Sequence, residues 1–221
     1  MPRFADAIFL TIGGLLPIMN PFSTAPLFVS LTANFEPARR NSQALAACIY
    51  AFAIIVVFLL AGSAIVDFFG ISIPGIRSAG GLIIMVTGGR MLFPAPASEE
   101  ARQAGAAADA DVAFSPLAMP SLAGPGSIAV VMSAAGQVRS ERAADAMVIF
   151  AGVIVGMAVT LAISYAVLRL SGTMVRFLGR GGIDSMTRIF GFLLICIGMQ
   201  FLLTGISDFY GLNAGVPAPT R

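Results

Sequence analysis

Polar side chains that interrupt two long apolar stretches are the residues of this sequence best suited to bind a small molecule. The first stretch, LPIMNPFSTAPLFVSL, carries Asn20, Ser23 and Thr24 among three prolines. The second, MPSLAGPGSIAVVM, carries Ser127 directly after two glycines that flank a proline. Amide and hydroxyl groups donate and accept hydrogen bonds without carrying charge, so this pattern indicates recognition of a polar ligand.

Catalytic and metal-binding chemistry has few residues available in this sequence. It contains no His and no Lys, and Cys48 and Cys196 lie in separate apolar segments. Such cysteines usually serve as small core residues, and a zinc, haem or iron–sulfur centre needs more ligands than these two. Neither paired carboxylates nor a nucleophile with its base occurs at membrane depth. We therefore predict no enzyme activity, no catalytic residue, no metal and no cofactor.

The composition is that of an integral membrane protein. Of the 221 residues, 57% are hydrophobic and 11% are charged, whereas soluble domains average about 25% charged residues. The net charge of +2 and the scattered arginines predict no nucleic-acid partner. No small-residue cleavage site follows the first apolar stretch, so we expect that stretch to be a first span rather than a signal peptide.

Charged residues divide the chain into six candidate membrane spans of about 20 apolar residues each. Five uncharged runs lie between Asp6 and Glu36, Arg40 and Asp67, Asp111 and Arg139, Asp145 and Arg169, and Arg188 and Asp208. A sixth run reaches span length if Arg77 and Arg90, near its two ends, extend toward the interfaces. The sequence therefore predicts an all-α integral membrane protein with six transmembrane helices.

The loops between these spans predict the topology and the division of the chain. More arginines fall on the side of the first loop than on the opposite side, so the positive-inside rule places both termini in the periplasm. Residues 94–111 are rich in Ala, Pro and acidic residues without apolar periodicity, which indicates a linker. The predicted units are a first three-helix repeat at 1–93, a second at 112–213 and a tail at 214–221.

The two predicted halves share a weak internal similarity. NPFSTAPLFVSL matches GPGSIAVVMSA, which places Pro21 on Pro125 and Ser23 on Ser127. An odd number of spans per half inserts the second copy upside down, and inverted repeats with helix breaks at matching positions are typical of secondary transporters. The alternative is that the breaks only serve helix packing. We predict two inverted three-helix repeats with broken helices 1 and 4.

A broken helix offers backbone groups to a ligand. The N-terminal end of a half-helix attracts an anion and the carbonyl end suits a cation, so two facing breaks would bind a small zwitterion without charged side chains. We expect the breaks near residues 17–24 and 120–127 to face one another around a small cavity that contains Asn20 and Ser127. The candidate substrate-binding residues are Asn20, Pro21, Ser23, Thr24, Pro120, Gly124, Pro125, Gly126 and Ser127.

The same segments resemble the MarC family of bacterial six-span inner-membrane proteins. The likeness covers essentially the whole chain, and its most specific parts are N-P-x-x-x-x-P-L-F and P-x-x-x-G-P-G. The residues of this chain that match the family motifs are Asn20, Pro21, Pro26, Pro120, Gly124, Pro125 and Gly126. The resemblance implies a secondary transporter that exports small neutral amino acids such as alanine, glycine and threonine by alternating access. The family name comes from an association with antibiotic resistance, which does not by itself imply drug transport.

Other functions stay open on the sequence alone. A scaffold or regulatory subunit without transport activity, or an exporter of another small solute or of drugs, would have a similar composition, and a homo-oligomer is also compatible with it. We expect Asp67 to mark an interface end, and Arg77 and Arg188 to anchor helix ends rather than bind substrate. No nucleotide-binding motif is present. The expected partners are the lipid bilayer and a small neutral amino acid.

Overall fold

The computed structural model describes residues 2–93, 111–139 and 143–212, and within these ranges it is helical, with no strand. The helices are α1 Pro2–Met19, α2 Pro21–Leu31, α3 Pro37–Phe69, α4 Ile73–Leu92, the irregular π-helix α5 Ala113–Leu122, α6 Pro125–Arg139 and α7 Ala143–Phe209. The prediction of an all-α chain is confirmed. The predicted linker at 94–111, apart from Asp111, and the predicted tail at 214–221 lie outside the described residues.

Several helices are long and apolar enough to cross a membrane, as an integral membrane protein requires. Within the described ranges, three of them meet this requirement singly: α3 and the two arms of α7, Asp145–Gly179 (α7a) and Gly181–Phe209 (α7b). The helices α1 with α2, and α5 with α6, meet it as bent pairs. The 20-residue α4 does not, since Arg77 and Arg90 lower its hydropathy. The count of six spans therefore stays a prediction.

The segment expected to form a loop between the fifth and sixth spans is helical instead. The sequence prediction placed this loop between Arg169 and Arg188, but α7 continues through it with non-helical backbone only at Gly179. No proline interrupts this part of the chain, and proline is the strongest helix breaker. Gly179 has a φ of 63° and a ψ of 179°, a conformation that glycine adopts readily because it has no Cβ atom. The loop prediction was wrong, and one glycine kink separates the two arms.

Apolar side chains cover both the interior and the outer surface of the helices. The largest fully buried ones include Leu15, Phe28, Ile55, Leu117 and Met157, from five different helices. Others face outward: Phe9 is 74% exposed and Phe177 is 88% exposed. A soluble monomer rarely exposes apolar surface on this scale. Lipid is the solvent that suits such an exterior.

Glycines on both helices bring α4 and α7b into close contact. A Cβ atom on Gly81 would lie 2.6 Å from the Gly198 carbonyl oxygen, and one on Gly88 would lie 2.5 Å from the Gly191 carbonyl oxygen. Gly205 meets the Pro74 carbonyl oxygen and Ser78 in the same way. As the residue numbers along α4 rise, the numbers of their contact residues on α7b decrease, so the two helices are antiparallel. Small residues allow this approach, which is a common way for membrane helices to associate.

The two glycines of a G-x-x-x-G spacing in α7a pack against α1 of the same chain. A Cβ atom on Gly152 would lie 2.8 Å from the Ala7 Cβ, and one on Gly156 would lie 2.7 Å from the Thr11 Cβ. Residue numbers rise together along the two helices, so α1 and α7a are parallel. This glycine face therefore serves packing within the chain and is not available to a second copy.

A buried ion pair ties α4 to α6 and α7b. Arg77 is 8% exposed, and its Nη1 donates to the Asp208 carboxylate. Its Nε also donates to the Ser133 hydroxyl oxygen at 3.1 Å. A charge this deeply buried is tolerated only when it is paired and hydrogen-bonded. Arg77 therefore extends into the protein rather than toward an interface.

The glycine contact between α4 and α7b can be tested with one substitution at two positions. We expect Gly198→Ala to destabilise the protein by about 1–3 kcal/mol, because the new methyl group overlaps backbone atoms of α4. Gly89→Ala is the control, since a Cβ atom there meets nothing within 4 Å. Thermal unfolding in detergent, followed by circular dichroism, measures both. Equal unfolding curves for the two variants would contradict the contact.

Candidate functional site

The first helix break lies at a single residue, Asn20. It separates α1 from α2 at an angle of 45°, and its φ of 38° and ψ of 67° are left-handed. Asn tolerates this conformation better than most residues do, and Pro21 suits the first position of the following helix. The predicted interruption within residues 17–24 is confirmed. Pro17 and Pro26, however, lie inside α1 and α2, so only the middle proline marks the break.

The polar residues of the first break bond to one another. The Asn20 side-chain oxygen accepts from the Ser23 N–H at 3.3 Å and so caps α2. The Asn20 carbonyl accepts from the Ser23 hydroxyl at 3.2 Å and from the Thr24 hydroxyl at 3.4 Å. The Asn20 amide nitrogen lies 3.7 Å from the Met91 sulfur, to which it donates. Buried backbone groups left by the break therefore find their partners within the chain.

The second break separates α5 from α6 at an angle of 60°. Backbone at Met119 is extended, as expected for a residue before proline. Two hydroxyls bond to carbonyls in this region: Ser121 donates to the Pro116 oxygen at 2.8 Å, and Ser127 donates to the Leu122 oxygen at 3.2 Å. The predicted interruption within residues 120–127 is confirmed.

Two glycines allow the second break to pack closely. A Cβ atom on Gly124 would lie 2.6 Å from the Pro120 carbonyl oxygen. One on Gly126 would lie 3.0 Å from Ile84 Cγ1 of α4 and 3.3 Å from Ile18 Cγ2 of α1. Ile18 stands two residues before the first break, so the start of α6 lies against the end of α1. The two breaks are therefore neighbours.

A cavity of about 540 Å³ lies beside the second break. Five of the predicted site residues line it, namely Pro120, Gly124, Pro125, Gly126 and Ser127. It is not lined by the other four predicted site residues, which are Asn20, Pro21, Ser23 and Thr24. The expectation that Asn20 and Ser127 share one cavity was wrong for Asn20, because its side chain turns to cap α2 and to contact Met91.

The electrostatics of this cavity favour an anionic group. Ile128 N–H donates to the Gly124 carbonyl at 3.1 Å, so the N–H groups of Gly126 and Ser127 come before the first such bond of α6. Gly124 has no side chain that could cap them, and the helix dipole adds partial positive charge there. Arg90 of α4 supplies a full positive charge, and no carboxylate is among the described lining residues. A carboxylate fits this environment.

Sequence reasoning missed three polar residues of the cavity, which are Thr87, Arg90 and Ser121. Ile84, Thr87 and Arg90 follow one another at three-residue intervals, so they share one face of α4. That spacing was visible in the sequence. Nothing in it showed that this face of α4 lies against the second break, which is 30 or more residues away in the chain.

A second cavity, of about 490 Å³, also lies beside this break. It shares Ile83, Pro120 and Pro125 with the first cavity. Along α4 it begins at Gly75 and ends at Ile83, whereas the first cavity runs from Leu82 to Arg90. The cavities therefore follow one another along α4, and the prolines of the second break belong to the walls of both.

Comparison with known proteins identifies close relatives along almost the whole chain. A family model described as "MarC family integral membrane protein" matches residues 5–210. The inner membrane protein MarC of Escherichia coli O157:H7 is 43% identical over 215 residues, covering 94% of this chain and 97% of that protein. The proteins of the same name from Escherichia coli strain K12 and Shigella flexneri are each 44% identical over 210 residues, covering 91% of this chain and 95% of each relative. No solved structure matches the chain.

The structural role of Asn20 predicts how substitutions there change stability. We expect Asn20→Leu to lower the free energy of unfolding by about 1–3 kcal/mol, because it loses the cap and places a branched residue at positive φ. Asn20→Gly keeps the backbone conformation and is expected to cost only a few tenths of a kcal/mol for the cap. Chemical unfolding monitored by circular dichroism measures both. An Asn20→Leu protein as stable as Asn20→Gly would contradict this role.

Proposed function

Because the chain belongs to the MarC family of integral membrane proteins, we propose that it is a secondary transporter that exports small neutral amino acids by alternating access. The relatives are named inner membrane proteins, and we place this chain in the bacterial inner membrane as well. The observation that carries the proposal is the second helix break, whose two prolines line both cavities arranged along α4. A transporter needs a central site with access from one side at a time, and broken helices form such sites in secondary transporters.

The proposed architecture has six spans in two inverted halves, with α4 as the third span. Three structural relations between the halves support it. The bent pair of α1 and α2 and the bent pair of α5 and α6 occupy matching positions. The contact of α1 with α7a has its counterpart in the contact of α6 with α3, where Gly62 meets Met132. A two-fold axis in the membrane plane makes the third helices of the halves antiparallel, as α4 and α7b are.

The proposed substrate site is the larger cavity. In it Arg90 and the N-terminus of α6 bind the carboxylate, since charge-assisted hydrogen bonds are the strongest available there. The volume of about 540 Å³ falls within the usual range for small-molecule sites. Apolar side chains of Ile18, Ile84 and Leu194 suit a small neutral substituent. The lining groups serve binding rather than catalysis in this proposal, because the described lining residues include no carboxylate or imidazole that could act as a base for its serines.

One observation favours a second candidate, an exporter of amphipathic solutes. The larger cavity is also lined by Leu82, Ile83 and Val86, which are 50%, 39% and 56% exposed on the outer face of α4. A cavity that opens beside lipid-facing residues would admit a solute from the bilayer. Such a solute would be more apolar than alanine, and it would not need the positive charge of Arg90.

Substitution of Arg90 tests the carboxylate site. We expect Arg90→Gln to raise the KM for alanine about 10- to 100-fold in proteoliposomes, the equivalent of losing a charged hydrogen bond. Arg188→Gln removes the same charge from an exposed position outside the cavity and should transport normally. Radiolabelled alanine counterflow measures both variants.

A substrate without the carboxylate completes this test. Alaninamide should compete poorly for the native protein, and Arg90→Gln should discriminate less between alanine and alaninamide. If Arg90→Gln and Arg188→Gln transport alanine equally well, the carboxylate does not bind at Arg90. Efficient transport of a neutral amphipathic solute by the native protein, without alanine transport, would support the second candidate instead.

The proposed topology is tested with reporters at the C-terminus. Three spans in each half place both termini on one side, and the arginine distribution places that side in the periplasm. We expect a C-terminal alkaline phosphatase fusion to be active and a C-terminal green fluorescent protein fusion to be dark. An inactive phosphatase fusion together with a fluorescent green fluorescent protein fusion would reverse the orientation.

A further inference from the structure

Three arginines from two helices converge on a third cavity, where α3 begins and α7a ends. This cavity has a volume of about 320 Å³ and is lined by Arg40 from α3 and by Arg169 and Arg176 from α7a. Asn41 and Thr173 add polar groups to its wall. Arg169 and Arg176 are seven residues apart, two helical turns, so they lie on the same face of α7a. The cavity is separate from the two cavities beside the second break.

Contacts hold the Arg40 guanidinium in place. Its Nη2 donates to the Ser171 hydroxyl oxygen at 3.0 Å, and its carbon lies 5.3 Å from the centre of the Phe28 ring. Gly172 leaves room for it, since a Cβ atom there would lie 3.3 Å from both terminal nitrogens. A guanidinium carries five N–H donors, and the Ser171 bond uses one of them. A positioned arginine with spare donors is suited to bind an anion.

The positive charge of this cavity has no counterpart in its wall. No carboxylate is among the described residues that line it, although Glu36 directly precedes α3. Arg169 and Arg176 are exposed, and neither makes a hydrogen bond or ion pair within the described part of the chain. The first turn of α3, which begins at Pro37 on the cavity wall, adds the partial charge of a helix N-terminus. An anion would relieve the repulsion among these groups.

We propose that this cavity binds the phosphate group of an anionic phospholipid headgroup. Planar guanidinium groups match phosphate oxygens in pairs, and basic pockets between membrane helices recognise anionic headgroups. The position supports a lipid source, because α3 and α7a are long apolar helices whose ends reach the headgroup region of a bilayer. Free phosphate offers the same chemistry from the aqueous side. The site would stabilise the junction of α3 and α7a whatever solute the protein carries.

Lipid retention by the purified full-length protein tests this proposal. We expect native mass spectrometry to detect more phosphatidylglycerol than phosphatidylcholine retained from mixed nanodiscs. Added phosphatidylglycerol should also raise the unfolding temperature in detergent. Arg169→Gln and Arg176→Gln should each weaken phosphatidylglycerol binding about ten-fold, which corresponds to the loss of one charged hydrogen bond. The matched control is Arg188→Gln, which removes the same charge from an exposed position outside the cavity.

A titration with inorganic phosphate in phosphatidylcholine separates the two sources. Stabilisation by phosphatidylglycerol but not by phosphate supports the headgroup site. Stabilisation by phosphate alone, reduced by the same two substitutions, overturns the lipid source and assigns the cavity to a soluble phosphate. If Arg176→Gln and Arg188→Gln weaken phosphatidylglycerol binding equally, the lipid is attracted by the net charge of the protein without a specific site. That result would overturn the proposal. Unfolding without ligand confirms that each variant is folded.

Discussion

Every backbone N–H and C=O inside a bilayer needs a hydrogen-bond partner, and the two helix breaks of this chain depend on that requirement. At the first break, Asn20, Ser23 and Thr24 provide the partners themselves. At the second, Ser121 and Ser127 bond to carbonyl groups of α5. Within the described residues, no buried side-chain nitrogen or oxygen lacks a partner. The polar residues that punctuate these apolar helices therefore stabilise the breaks before they can serve any ligand.

The two breaks nevertheless differ in what they leave open. The first is closed on itself, and its asparagine caps the next helix. The second begins α6 with a proline and glycine in place of a capping side chain, so N–H groups of its first turn face a cavity. Similar sequence elements thus produce one structural joint and one candidate site. The difference lies in the residue before each proline, which is Asn20 in the first break and Gly124 in the second.

Local chemistry made both breaks predictable, because proline and glycine act on the backbone beside them. The same reasoning found Pro120, Gly124 and Gly126. It did not find Arg90, whose importance depends on α4 packing against the second break, nor the Asp208 partner of Arg77, which lies 131 residues away in the chain. It placed Asn20 in the cavity because an amide resembles a ligand contact, whereas backbone geometry directed that side chain into a cap. The prediction of a loop inside α7 was wrong for a related reason. Charged residues mark where a span leaves the apolar part of a membrane, but they do not end a helix.

The glycine contact between α4 and α7b has a mechanical consequence. Interlocked side chains resist translation, because each must change rotamer as one helix passes another. Where glycines meet, as Gly81 and Gly88 meet Gly198 and Gly191, fewer side chains have to change rotamer, and those that do include Met85 and Leu194 beside the contact. Small sliding of packed helices is one of the ways in which proteins change shape. Since α4 lines both cavities beside the second break, its position along α7b bears on the width of both, and the bonds of Arg77 to Asp208 and Ser133 hold that position.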